Sequence, residues 1–171
     1  MPGPVTDPRA HALRERYHEL FQADQLPVPV ESIAEDLLGL SVEETELWVS
    51  GLLLPAERRV IVNADESPER RRFTLAHEVG HWVCQCLEGT TAPVYCRDRD
   101  VSTATDRALE REANLFAAEL LMPTLELRSE FTQTDDVAAR FGVSKEAMQW
   151  RLYNVGLIET PPSNARGGRS E

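Results

Sequence analysis

The segment with the clearest chemical potential is His77-Glu78-Val79-Gly80-His81, which has two histidines four residues apart and a glutamate beside the first. In a helix, residues i and i+4 lie on one face about one turn apart, so both imidazoles can bind one metal ion. Glu78 is offset around the helix and can reach water bound to that metal. The spacing therefore favours a metal centre over a surface helix that happens to carry two histidines.

A third metal ligand is expected from a second helix. A catalytic zinc ion normally has three protein ligands and one open position for water. The Ala-, Leu- and Glu-rich segment from Asp106 to Met122 predicts a helix that offers Glu110, Glu112 and Glu119. Glu112 and Glu119 share one helix face, and Glu110 lies elsewhere. Spacing alone does not choose among the three, and each could equally be a solvated surface charge.

Further side chains could complete the site by their chemical type. Cys84 lies three residues after His81 on the same helical face, so a thiolate ligand is an alternative to a small apolar role in the core. A metal-bound water beside a carboxylate is typical of hydrolysis, and the oxyanion of such a reaction would need a donor besides the metal. The candidates by type are Tyr95, Arg97, Arg99 and His18, and no spacing singles one out.

The elements that must position these groups are helices and a small sheet. Ser67 is a good helix N-cap and Pro68 suits the first helical position, so the histidine helix should run from there to about Cys86. Residues 52–54 and 60–62 flank a turn and predict a hairpin. We expect an α+β fold with a small antiparallel sheet of about three strands, further helices at 8–23 and 30–38, a strand within 40–49, and a long irregular loop at 90–103.

Composition narrows the function classes. The 171 residues carry a net charge of −11 and three cysteines. No apolar run approaches the roughly 20 residues of a membrane span, and the first 16 residues show no signal-peptide pattern. Three cysteines are too few for a disulfide scaffold. The sequence therefore predicts a cytoplasmic protein without a membrane partner, and its acidity makes direct DNA binding unfavourable.

Residues 134–158 have the sequence pattern of a helix-turn-helix. An Ala-rich segment, a turn at Phe141-Gly142-Val143 and a cap at Ser144 predict two short packed helices. Their basic residues are only Arg140, Lys145 and Arg151. We expect this segment to pack or to place a protein partner, with contact to DNA as the alternative.

Two long motifs identify a family resemblance. Residues 72–81 read Arg-Phe-Thr-Leu-Ala-His-Glu-Val-Gly-His, and residues 110–123 read Glu-Arg-Glu-Ala-Asn-Leu-Phe-Ala-Ala-Glu-Leu-Leu-Met-Pro. Together with Leu26-Pro27-Val28-Pro29-Val30 and Val60-Ile61-Val62-Asn63, they closely resemble the ImmA/IrrE metallopeptidases. The resemblance implies that His77, His81 and Glu112 are metal ligands and that Glu78 is the general base. The chain departs from the family pattern at Gln85, where many members carry a further histidine.

The resemblance also implies a zincin-like peptidase domain and a zinc cofactor, with manganese as the alternative metal. We expect this domain at residues 8–125, after a leader at 1–7. A helix-turn-helix-like segment at 126–159 and a disordered tail at 160–171 are expected to follow. The implied substrate is a helix-turn-helix repressor or antitoxin. The alternative is a metal-containing regulator that sequesters such a repressor without cleaving it.

Overall fold

The computed structural model describes residues 6–22, 25–86, 94–96, 104–131 and 137–162. The first five residues, most of the expected 90–103 loop with Arg97 and Arg99, and the tail from residue 163 lie outside the described residues. Within the described part, the chain has a mixed α+β architecture, as predicted. Its helices are α1 Pro8–Phe21, α2 Val30–Ser32, α3 Pro68–Cys84, α4 Ala104–Leu121, α5 Thr124–Glu130, α6 Val137–Phe141 and α7 Lys145–Asn154. A π-helical turn, Ile33–Leu37, continues α2.

The sheet is larger than expected and not wholly antiparallel. Its strands are β1 Ser41–Thr45, β2 Gly51–Leu54, β3 Arg59–Asn63 and β4 Val94–Cys96, in the order β1-β3-β2-β4. The predicted hairpin is confirmed as the antiparallel pair of β2 and β3, joined by a 3-10 turn at Pro55–Glu57. The pair of β1 and β3 is parallel, and β4 adds an antiparallel strand inside the expected loop.

The parallel pair arises from the path of residues 46–50. This connection crosses the end of β3, so β2 lies on the far side of β3 from β1. The Asn63 side chain holds the crossing in place: its Oδ1 accepts from the Leu47 amide at 3.2 Å, and its Nδ2 donates to the Leu47 carbonyl at 3.0 Å. One side chain thus satisfies both backbone groups of Leu47 at the crossing.

Helix α3 is the element that carries the metal-site motif, and it begins where the sequence predicts. The Ser67 hydroxyl accepts from the Arg70 amide at 3.3 Å, and Pro68 occupies the first turn. The helix ends at Cys84, and Gln85 leaves helical geometry while its amide still donates to the His81 carbonyl at 3.0 Å. Helix α3 packs on β2 and β3 along one side and on α4 along another.

The C-terminal helices are part of the same hydrophobic core. Phe141 and Met148 belong to one buried cluster with Leu75 of α3 and Phe116 of α4. Arg72 of α3 reinforces this docking, because its Nε donates to the Gly142 carbonyl at 3.1 Å. The domain boundary expected near residue 125 stays a prediction. Buried side chains of α3 and α4, before it, pack against those of α6 and α7, after it.

A buried ion pair also anchors α7. The Arg151 guanidinium contacts the Glu119 carboxylate, and both side chains are buried. Arg151 Nε donates to the Met122 carbonyl at 3.0 Å, and the Thr124 hydroxyl donates to Glu119 at 2.8 Å. These contacts tie α7 to the junction of α4 and α5. Among the described residues, none of the helices combines the length and hydropathy that a membrane span requires.

Candidate metal centre

Helix α3 places the three motif residues in the interior of the protein. His77 is 3% exposed, Glu78 is fully buried, and His81 is 1% exposed. Polar groups at this depth require partners, because an uncompensated buried polar group costs about 1–3 kcal/mol. The location therefore argues against a surface helix with incidental histidines.

The two imidazoles converge on one point together with a carboxylate of α4. The Nε2 atoms of His77 and His81 are 2.9 Å apart. Glu110 Oε2 lies 3.1 Å from His77 Nε2, and Glu110 Oε1 lies 3.1 Å from His81 Nε2. Among the described residues, His77, His81 and Glu110 form the one group of three donors that could hold a metal ion.

The structure does not bring Glu112, the third ligand that the motif resemblance implies, to the two histidines. Successive residues of an α-helix are rotated by about 100°, so Glu110 and Glu112 project in widely different directions. Glu112 Oε1 instead accepts from Arg9 Nη1 of α1 at 2.8 Å, where both side chains are partly exposed. Glu119, the third candidate, is occupied by Arg151 in the core.

The spacing of the donor atoms fits a zinc ion. Zinc binds imidazole nitrogen and carboxylate oxygen at about 2.0–2.2 Å in tetrahedral geometry, which places neighbouring ligand atoms roughly 3.3 Å apart. The observed separations of 2.9 and 3.1 Å lie close to that value. Two imidazoles and one carboxylate are also the donor set of the His-His-Glu class of catalytic zinc sites.

Each histidine is held on its outer side by an amide side chain. His77 Nδ1 lies 3.0 Å from Asn114 Oδ1, and His81 Nδ1 lies 2.9 Å from Gln85 Oε1. Asn114 is four residues after Glu110, so both side chains project from one face of α4. Such outer partners fix the orientation and tautomer of metal-binding histidines.

Charge complementarity within the cluster shifts two pKa values. Burial lowers the pKa of His81, but hydrogen bonds to Glu110 and the negative charge of Glu78 outweigh burial, and the net pKa is raised. Burial raises the pKa of Glu110, whereas hydrogen bonds from His77 and His81 lower it, for a net pKa of about 2. Glu110 is therefore ionised at neutral pH and suited to a cation.

Close backbone approach shapes the site on two sides. A Cβ added at Gly80 would lie 3.0 Å from the Ala113 carbonyl oxygen, so glycine here lets α3 and α4 approach closely. A Cβ added at Gly51 of β2 would lie 3.1 Å from Glu78 Oε1 and 2.5 Å from Thr74 Cγ2. Strand β2 therefore packs directly over the carboxylate of Glu78.

The structure gives different surroundings for those remaining candidates that it describes. Cys84 is buried in the hydrophobic cluster. His18 lines a separate groove of about 180 Å³ that includes Arg14 and Glu126. Only the backbone of Tyr95, in β4, is described. Among the described residues, neither Cys84 nor His18 belongs to the donor group.

Sequence reasoning named Glu110 as one of three candidate carboxylates but did not choose it. It missed Gln85 as the partner of His81 and Gly51 as the close neighbour of Glu78. A signal existed for Glu110, since its spacing from Asn114 places both on one helix face. Only the packing of α3 against its neighbours identifies the other two.

Comparisons with known proteins identify the family of this chain. The Peptidase M78 family model, described as the IrrE N-terminal-like domain, matches residues 30–153. The chain is 29% identical over 124 residues to the radiation response metalloprotease IrrE of Deinococcus radiodurans, covering 70% of this chain and 37% of that protein. It is 32% identical over 94 residues to the IrrE of Deinococcus deserti, covering 55% and 30%.

Two further proteins, one compared by sequence and one by structure, are also similar to this chain. The chain is 23% identical over 129 residues to the metallopeptidase ImmA of Bacillus subtilis, covering 71% of this chain and 73% of that protein. A solved Mycobacterium tuberculosis transcriptional regulator shares the fold, with a TM-score of 0.60 and 20% identity over 85% of this chain and 46% of that chain. Because the family model spans most of the sequence and includes both motif helices, the chain belongs to the Peptidase M78 family of metallopeptidases, the IrrE N-terminal-like domain.

Proposed function

We propose that this protein is a zinc-dependent endopeptidase whose metal ligands are His77, His81 and Glu110. The observation that carries the proposal is that the Glu110 carboxylate lies 3.1 Å from the Nε2 atoms of both histidines. Glu78 is buried beside His77 on α3. A protein that only bound a metal would have no need of a buried carboxylate at position 78. Manganese is the alternative metal, and the nitrogen-rich donor set favours zinc.

The chain's own residues account for the proton transfers of peptide hydrolysis. Bound zinc would supply Lewis acidity toward the scissile carbonyl and lower the pKa of the attacking water to about 7. Glu78 takes the proton of that water as the water oxygen attacks the carbonyl carbon. Glu78 then delivers the proton to the leaving amine, so that the C–N bond breaks with a neutral amine product.

The proposed substrate is a helix-turn-helix repressor or antitoxin encoded near this protein. Relatives named metalloprotease and metallopeptidase support a protein substrate, and the motif resemblance implies that the substrate is a helix-turn-helix repressor or antitoxin. Helices α6 and α7 are proposed to help place that substrate and not to read DNA. Arg151 is buried in an ion pair with Glu119, and Arg140 pairs with Glu130 at 2.9 Å. Few basic side chains of this segment are therefore left to contact DNA phosphates.

The test is cleavage of the neighbouring repressor by zinc-loaded protein and by its Glu78→Gln variant. Glu78→Gln should retain zinc, while cleavage falls by roughly 100-fold or more, because general base catalysis contributes about 10²–10⁴-fold. Glu69→Gln is the matched control, since Glu69 is an exposed glutamate in the first turn of the same helix. Cleavage by Glu78→Gln at the wild-type rate would refute the mechanism. Tight repressor binding without cleavage by the wild type would favour the sequestering alternative.

A further inference from the structure

Gln85 lies in a position that connects both helices of the metal centre. Its Oε1 faces His81 Nδ1 at 2.9 Å, and its Nε2 faces the Leu109 carbonyl oxygen at 3.4 Å. Leu109 directly precedes Glu110 along α4. One side chain at the end of α3 thus contacts a metal-ligand ring of α3 and the backbone beside the carboxylate ligand of α4.

These two contacts determine which way the Gln85 amide points. A carbonyl oxygen only accepts hydrogen bonds, so the amide NH₂ must face Leu109 and the amide oxygen must face His81. The backbone of Gln85 supports this placement, because its N–H donates to the His81 carbonyl at 3.0 Å and holds the residue one turn beyond the ring.

The amide orientation in turn determines the hydrogen-bonding role of Nδ1 of His81. A ring nitrogen that faces an amide oxygen donates its hydrogen to it, so Nδ1–H of His81 donates to Gln85 Oε1. The opposite ring nitrogen, Nε2, lies 2.9 Å from His77 Nε2 and 3.1 Å from Glu110 Oε1 and so faces the centre of the cluster. A metal ion held there would take the Nε2 lone pair, while the Nδ1–H bond to Gln85 keeps the ring oriented.

We propose that Gln85 is a positioning residue that orients the His81 ring through an Nδ1–H hydrogen bond and couples this ring to the α4 segment carrying Glu110. The proposal rests on the proposed function for the identity of the metal ligands. It adds a role for a residue that lies outside both long sequence motifs. Asn114 of α4 plays the corresponding part for His77 of α3 through a single contact between the helices, at 3.0 Å from His77 Nδ1.

The first test follows the Nδ1–H hydrogen of His81 in the zinc-loaded protein by ¹H–¹⁵N NMR of the histidine side chains. In the wild type this hydrogen should resonate downfield and exchange slowly with water, because it is bonded to Gln85 Oε1. Gln85→Leu should make it exchange faster, and Gln85→Glu should restore slow exchange, because a carboxylate oxygen accepts the same hydrogen bond. Equally slow exchange in Gln85→Leu and in the wild type would overturn the proposal.

The second test measures zinc affinity by competition with a chromophoric chelator. Gln85→Leu should weaken zinc binding by about 10–100-fold, the usual effect of losing the outer partner of a ligand histidine. Gln22→Leu is the matched control, since Gln22 is the glutamine at the C-terminal end of α1 and should leave zinc affinity unchanged. Wild-type affinity in Gln85→Leu would refute the positioning role. Failure of the wild type to bind zinc would instead refute the proposed function.

Discussion

The glycine between the two histidines offers a quantitative test of how closely α3 and α4 must pack. A Cβ at Gly80 would lie 3.0 Å from the Ala113 carbonyl oxygen, 3.1 Å from Ala113 Cα and 3.2 Å from Phe116 Cδ1. Two of these three atoms are backbone and cannot rotate away. Gly80→Ala must therefore separate α3 from α4 by a few tenths of an ångström.

The expected magnitude follows from two opposing effects. Alanine favours a helix over glycine by about 1 kcal/mol, whereas overpacking a core costs about 1–3 kcal/mol. The metal-free variant can relax by moving α4, so its stability should fall only slightly. Metal binding requires Glu110 to move back toward the histidines, which brings α4 against the added Cβ again. The bound protein therefore carries the steric strain that the metal-free protein had relieved. A strain of about 1–3 kcal/mol corresponds to roughly a 5–150-fold loss of zinc affinity.

The assay combines zinc competition with urea unfolding of the metal-free protein. Phe141→Leu is the control, because Phe141 is fully buried in the same core but contributes nothing to the donor group. That variant should lower the unfolding midpoint and leave zinc affinity unchanged. Wild-type zinc affinity in a stably folded Gly80→Ala variant would show that the α3–α4 distance does not control the site.

Two further predictions follow from close contacts in the structure. Gly51→Ala should lower the cleavage rate with zinc content unchanged, because its Cβ would lie 2.5 Å from Thr74 Cγ2 and 3.1 Å from Glu78 Oε1 and must push α3 away from β2. The loss should be at most about 100-fold, the cost of misplacing a catalytic group by about 1 Å. Adding Thr74→Ser, which removes the methyl group 2.5 Å away, should recover part of the rate, and no recovery would contradict the steric explanation. Arg151→Ala should lower the free energy of unfolding by about 3–5 kcal/mol in urea titrations, because it leaves Glu119 as an uncompensated buried charge. The double variant Arg151→Met, Glu119→Leu should recover most of that loss, and an equally unstable double variant would refute this explanation.

Features that depend on short stretches of sequence could be predicted. The start of α3 follows from Ser67 and Pro68, and the convergence of the histidines follows from helical periodicity once that helix is identified. The β2–β3 hairpin was likewise predictable from two apolar runs around a proline turn.

Features that depend on how the elements pack could not be predicted in this way. The choice between Glu110 and Glu112 is set by the rotation of α4 about its axis, which the contact of Gly80 with Ala113 and the pairing of Arg9 with Glu112 determine. The motif resemblance favoured Glu112 because it adjoins the Ala-Asn pair. The parallel pairing of β1 depends on the Asn63 crossing, and no local pattern indicates it.

The most direct test of the central claim is the zinc content of Glu110→Gln measured beside that of Glu112→Gln. Both variants remove one negative charge from the same helix, two residues apart, and therefore differ mainly in which face of α4 is changed. Glu110→Gln should lose most of its zinc on dialysis, and Glu112→Gln should keep about one zinc ion per chain, because Glu112 contacts Arg9 at the surface. Retention of zinc by Glu110→Gln together with its loss from Glu112→Gln would contradict the assignment of the metal centre.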